Sequence, residues 1–165
     1  EPVESERQQI KITDFPNQGD DSKISLRNSE YPLFPLDYAE KIRREYPQIW
    51  DEGGNILGNK QYTLLSRIQE NNGVPETDYQ EEAIKLREAW AARHLEDFRL
   101  PGVVAQMKWL VIGSRGLSHM KEVINEEIEK LEEKQRANEE IKKLKEEQKQ
   151  KDKIIELLNI LKTHQ

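Results

Sequence analysis

The chain has 165 residues, 35 % hydrophobic and 35 % charged, with a net charge of −6 and no cysteine. Charge in this excess points to long solvated helices, disordered segments or both, and leaves a core for one small domain, drawn from about residues 30–125. It excludes disulfides, thiolate nucleophiles and cysteine metal sites, and the acidic balance argues against a general nucleic-acid coat, which needs a basic surface.

Residues 1–30 read as an extended arm or short hairpin. "RQQIKITDF" places Ile10, Ile12 and Phe15 on one side, "SKISLRNSE" repeats the alternation with Ile24 and Leu26, and "PNQGDD" between them is turn chemistry. An isolated hairpin is marginal on its own. A flexible tail and a strand that joins a partner's sheet edge are therefore both open readings.

Residues 31–116 are expected to form a compact helical domain. Pro32 and Pro35 hold the chain extended, and a helix follows from Pro35 to Tyr46, with Tyr38, Ile42 and Tyr46 in one apolar stripe. Pro47 should end or kink it, and Ile49 and Trp50 make a second anchor. "DEGGNILGN" reads as a loop whose Asn59 caps the next helix, "KQYTLLSRIQEN", with Tyr62, Leu65 and Ile68 or Leu64 facing inward. Asn72-Gly73 and Pro75 close that helix. Thr77 is the N-cap of a helix over residues 78–98, and Gln80 stands at capping-box spacing from it. Its inward positions are expected at Ile84, Trp90 or Ala91, Leu95 and Phe98, with Leu86 adjoining.

"LPGVVAQMKWLVIG" is apolar nearly all round and should be central. Pro101 suits a first helical turn, and helix is the preferred reading. The β-branched content keeps a buried strand over residues 103–112 as the alternative. Gln106 and Lys108 interrupt this run, which is in any case too short to span a bilayer.

From Leu117 to about Thr163 the chain contains neither Gly nor Pro, and Glu and Lys alternate densely. This predicts a single long helix or two stacked pieces over residues 117–165, about 70 Å at 1.5 Å per residue. Leu117, Met120, Ile124 and Leu131 hold one heptad frame. Ile141, Leu144, Ile155 and Leu158 hold another, with Gln148 and Lys151 as polar seam positions. The frames disagree between Lys134 and Ile141, where a stutter or break is expected. "KIIELLNILKTH" is too apolar to stay exposed alone, so it should zip with copies of itself or fold back, and self-association through Ile141, Leu144, Ile155 and Leu158 as a coiled coil is the preferred reading.

The sharpest candidate site is "GSRG", Gly113, Ser114, Arg115 and Gly116. A Gly-rich turn into a helix can cradle a phosphate on backbone N–H groups, with a Ser hydroxyl and an Arg fork beside it. The stretch resembles the Gly-Ser-Arg loops of small Rossmann-like nucleotide-binding proteins. The preferred reading is an αα turn, with Gly113 left-handed at the end of one helix and Ser114 capping the next. No alternating βαβ series surrounds it.

His94, Glu96 and Asp97, with His119 beyond the loop, have the residue types of a metal site but no metal-ligand spacing. Ser114 with His94 or His119 lacks the G-x-S-x-G elbow of a hydrolase. Glu81/Glu82 and Glu126/Glu127 are adjacent pairs that diverge on a helix. Neither catalysis, nor a metal, nor a cofactor is expected. Arg87, Arg93, Arg99, Lys108 and Arg115, interleaved with Trp90, Phe98 and Trp109, are candidates to meet nucleic acid or an acidic partner. Glu88, Glu96 and Asp97 among them favour intramolecular pairing.

"EEAIKLREAWAARHLEDFRLPGVVAQMKWLVIGSRG" and "LRNSEYPLFPLDYAEKIRREYPQIWDEGGNILGNKQY", together about residues 26–124, resemble a segment of tailed-phage and prophage proteins associated with head morphogenesis. The resemblance implies a protease- or scaffold-associated helical module, located in the cytoplasm of a bacterial host or in the virion. It carries no catalytic motif. The expected function is thus a non-catalytic assembly protein that forms homo-oligomers and meets a protein partner. A phosphate- or nucleotide-binding module at residues 113–116 is the alternative, and a helical nucleic-acid-associated factor is a second.

Overall fold

A computed structural model describes Leu26, residues 29–54 and residues 56–164. The arm expected over residues 1–30 lies almost wholly outside the described residues. The described chain is mainly α, with six helices: α1 (Leu36–Glu45), α2 (Pro47–Trp50), α3 (Ile56–Glu70), α4 (Asp78–His94), α5 (Leu100–Lys108) and α6 (Leu117–Thr163). Its one β feature among those residues is an isolated antiparallel bridge between Leu33 and Val111.

α1 follows the sequence pattern closely. Pro35 stands at its N-cap, and Tyr38, Ala39 and Ile42 are buried on one stripe. Pro47 both ends α1 and starts α2, because a missing N–H costs nothing in a first helical turn. Ile49 and Trp50 then turn into the core. A 3-10 turn at Asp51–Gly53 lies across α5.

α3 begins at Ile56, earlier than the sequence suggests, so Asn59 is not its cap. Asn59 sits inside the first turns, where its Oδ1 accepts a hydrogen bond from the Trp50 indole at 3.2 Å. Tyr62, Leu65 and Ile68 are buried as expected. Thr77 caps α4 by accepting from the Gln80 backbone N–H at 3.1 Å. The Gln80 side chain completes the cap on Glu76 N–H (2.7 Å) rather than on Thr77.

Two departures concern α4 and α5. α4 stops at His94, short of Phe98, and its buried stripe is Gln80, Ala83, Arg87 and Ala91; Leu86 is exposed. Residues 103–112 begin as helix, which ends at Lys108, and finish as extended chain at the Val111 bridge. The left-handed residue that turns the chain is Leu110 (φ 52°), not Gly113. A left-handed Leu costs about 1–2 kcal/mol, and it is held by complete burial of its side chain and by two hydrogen bonds to its carbonyl.

α6 runs without a break from Leu117 to Thr163, through the region where the heptad frames disagree. The compact unit reaches Ile128, farther than the boundary expected at Gly116, because Met120, Ile124 and Ile128 are buried in it. Residues 129–165 form a second unit. No described helix is long and apolar enough to cross a membrane.

Close approach constrains Gly53. A Cβ there would lie 2.5 Å from Val104 Cγ1 and 2.8 Å from the Val104 carbonyl carbon. Gly53→Ala is expected to destabilise the protein by about 1–3 kcal/mol through overpacking, read as a lower urea midpoint with unchanged slope.

A second prediction follows from Glu40. Its carboxylate takes hydrogen bonds from Arg43 and from the Tyr62 hydroxyl at 2.7 Å. The Arg43 hydrogen bond is the main reason its pKa lies below the ordinary carboxylate value. A depressed carboxylate pKa gives stability that is present above the unfolded-state value and lost as pH falls through the folded one. Glu40→Gln is therefore expected to lower stability at pH 7, and the gap from wild type should close below about pH 4, measured by urea unfolding across pH.

Candidate functional site

The turn from α5 to α6 carries the 113–116 loop, and hydrogen bonding defines what it does. Ser114 N–H and Ser114 Oγ both donate to the Leu95 carbonyl at 3.0 Å. Gly116 N–H donates to Gly113 O at 2.9 Å, and Gly113 N–H lies 3.2 Å from the Met120 sulfur. Three of the four amides expected to face a phosphate are thus engaged within the chain. Ser114 ties the end of α4 to the loop instead of capping α6. Gly116, at φ 93°, is the left-handed residue ahead of α6.

Gly113 packs closely against the Gln106 side chain. Gln106 donates from Nε2 to the His94 and Asp97 carbonyls at 2.8 and 3.0 Å, and its Oε1 would lie 2.5 Å from a Cβ at position 113. Arg115 is exposed, with its guanidinium 3.9 Å over the Phe98 ring. His119 meets the same ring edge-on at 5.9 Å.

The other candidates disperse. His94 stacks on Trp90 at 4.4 Å and donates from Nδ1 to the Trp90 carbonyl at 2.8 Å, since a carbonyl can only accept. Asp97 pairs with Arg99, and the Arg99 hydrogen bond holds its carboxyl below the usual range. Among the described residues no three His, Asp or Glu side chains stand together as a metal site would require.

The basic cluster does not form one surface, because two of its members are in the core. Lys108 is fully buried, 5.2 Å from the Trp50 ring centre, and burial pushes its pKa down. Arg87 is fully buried as well. Its Nε donates to Trp109 O (3.2 Å), and its Nη2 reaches Leu110 O (2.7 Å), Tyr31 O (2.9 Å) and Pro32 O (3.1 Å). Its Nη1 meets Ser29 Oγ and Glu88 Oε2 at 2.7 and 3.0 Å. Burial lowers the Arg87 pKa to about 10, which still leaves it charged at neutral pH. Glu88 backs it by accepting from the Glu30 N–H and the Ser29 hydroxyl.

The longest run of exposed apolar residues among the described residues lies on α6. Ile154, Ile155, Leu157, Leu158, Ile160 and Leu161 are each 45–61 % exposed. Ile141 and Leu144 are half exposed on the same helix. No protein-family model, curated protein or solved structure matches the chain.

Arg87→Met is expected to cost about 3 kcal/mol or more, because it strands several buried carbonyls without a donor. Arg87→Lys should recover little of this, since one ammonium cannot span the acceptors met by a planar fork. Urea unfolding of both variants checks the pair.

Proposed function

We propose that the protein is a non-catalytic assembly component: a compact helical domain that offers an interaction surface, and a helix that brings copies of the chain together as a coiled coil. The observation that carries this reading is the exposed apolar stretch Ile154–Leu161, with Ile141 and Leu144 at seam spacing before it. Burial of each such side chain stabilises by about 1.5–3 kcal/mol. The compact unit buries Leu65, Val104 and Met107 and exposes only scattered apolar residues such as Ile56 and Tyr79, whereas on α6 six exposed apolar residues fall within eight positions, which supports α6 as the associating element. Joining several weak surfaces on one assembly raises their effective concentration for a common partner.

The proposed setting is tailed-phage assembly, in the host cytoplasm or the virion, and what supports it is the sequence resemblance of residues 26–124 to head-morphogenesis proteins. Terminase, portal or capsid genes beside the coding sequence are the context it requires. The internal commitment of the amides at residues 113–116 lends no support to a phosphate cradle. The burial of Arg87 and Lys108 likewise removes the centre of a nucleic-acid patch.

Light scattering on the full chain after size exclusion is expected to give an oligomer. Ile155→Glu with Leu158→Glu should weaken association by about 100-fold, the loss of roughly 3 kcal/mol of apolar burial, and leave helicity of the compact unit unchanged. A wild-type chain that stays monomeric at high concentration would sink the assembly reading.

A further inference from the structure

We infer that the partner of the α6 seam is a second copy of this chain running antiparallel, with the two-fold axis between Lys149 and Gln150. This rests on the assembly reading above, and deepens it by fixing direction and register.

The seam positions are Ala137, Ile141, Leu144, Gln148, Lys151, Ile155, Leu158 and Lys162, at alternating spacings of four and three. In an antiparallel pair each a position faces a d position of the other helix. About the proposed axis Ile141 meets the partner's Leu158, and Leu144 meets the partner's Ile155. All four are exposed apolar residues in the single chain. The two polar positions then fall opposite one another, Gln148 against the partner's Lys151, where the amide oxygen accepts from the ammonium. From Ile141 to Leu158 no apolar layer is spent on a charge, and only the outermost layers set an apolar residue against one, Ala137 against the partner's Lys162. Ile154 and Leu161 flank the seam and widen it.

A parallel, in-register pair buries the same four apolar residues and treats the charges worse. It sets Lys151 against the partner's Lys151 inside the seam. Its flanking pairs are Glu140 with the partner's Lys145, which attract, and Glu147 with the partner's Asp152, which repel. In the antiparallel pair the flanking charges that meet are Lys145 and the partner's Asp152, twice by symmetry. Glu140 and Glu147 face the partner's Leu161 and Ile154, so no like charges are opposed. Asp152 accepts from Gln148 through Oδ1 at 2.9 Å within the chain, and its second oxygen is the one that receives Lys145. Apolar matching is equal in the two arrangements, and the charges decide for the antiparallel one.

Asp152→Lys separates them by sign. In the antiparallel pair it opposes two lysines and is expected to raise the dissociation constant of the full chain roughly tenfold. Lys145→Glu combined with Asp152→Lys should restore it. In a parallel pair Asp152→Lys meets Glu147 and tightens binding instead. The chain has no cysteine, so direction can also be read by oxidation. Leu144→Cys mixed with Ile155→Cys should give a mixed disulfide, and Leu144→Cys alone none. A wild-type monomer overturns the assembly reading and this proposal with it. An oligomer in which Leu144→Cys links to itself, or Asp152→Lys tightens association, overturns the antiparallel register and leaves the assembly reading standing.

Discussion

The fold of the compact unit turns on one buried guanidinium. Arg87 projects from α4 and gathers carbonyls from two segments far from it in sequence, Tyr31–Pro32 and Trp109–Leu110. Neither segment is helical; the Trp109 and Leu110 N–H groups find local acceptors at Ala105 and Met107, but the carbonyls of both residues turn to the distant Arg87. Burying such carbonyls without donors is costly, and a planar cation with five N–H groups supplies several donors from one side chain. Glu88 keeps the charge paired at the edge of the site. The left-handed Leu110 and the Leu33–Val111 bridge both lie within this arrangement, since Leu110 O accepts from Arg87 and from Phe34 N–H.

Much of the fold was legible in the sequence. The stripe of Tyr38 and Ile42, Thr77 as N-cap, Pro101 in a first turn and a long last helix all follow from local rules, although that helix shows no break where the heptad frames disagree. The failures have a common cause. α4 buries Gln80 and Arg87 and exposes Leu86, so an apolar count along that helix points to the wrong face. Lys108 is buried through its long apolar stem against Gly58, 3.4 Å from where a Cβ would be, which no periodicity reveals. Asn59 looked like a cap because Asn suits that role, yet a tertiary hydrogen bond to Trp50 uses it inside the helix. Where long-range partners set the role of a polar residue, local pattern cannot find it.

The candidate site divides the same way. The "GSRG" stretch has the composition of an anion cradle, but composition does not say which way N–H groups point. Leu95 O and Gly113 O take up those of Ser114 and Gly116, and the side chain of Gln106 packs closely against Gly113. The exposure of Ile141, Leu144, Ile155 and Leu158 fits their place in the sequence pattern, because beyond Ile128 the helix leaves the compact unit and no buried partner sets the role of its residues.

The stack of His94, Trp90 and Trp109 has an optical consequence. The two indoles lie nearly parallel, 4° apart in tilt and 4.9 Å between centres, a geometry in which their electronic transitions couple. The carbonyl of Trp109 is itself held by Arg87. Near-ultraviolet circular dichroism of this pair therefore registers whether the buried guanidinium is in place. The protein carries in its own chromophores a gauge of the interaction on which its compact unit depends.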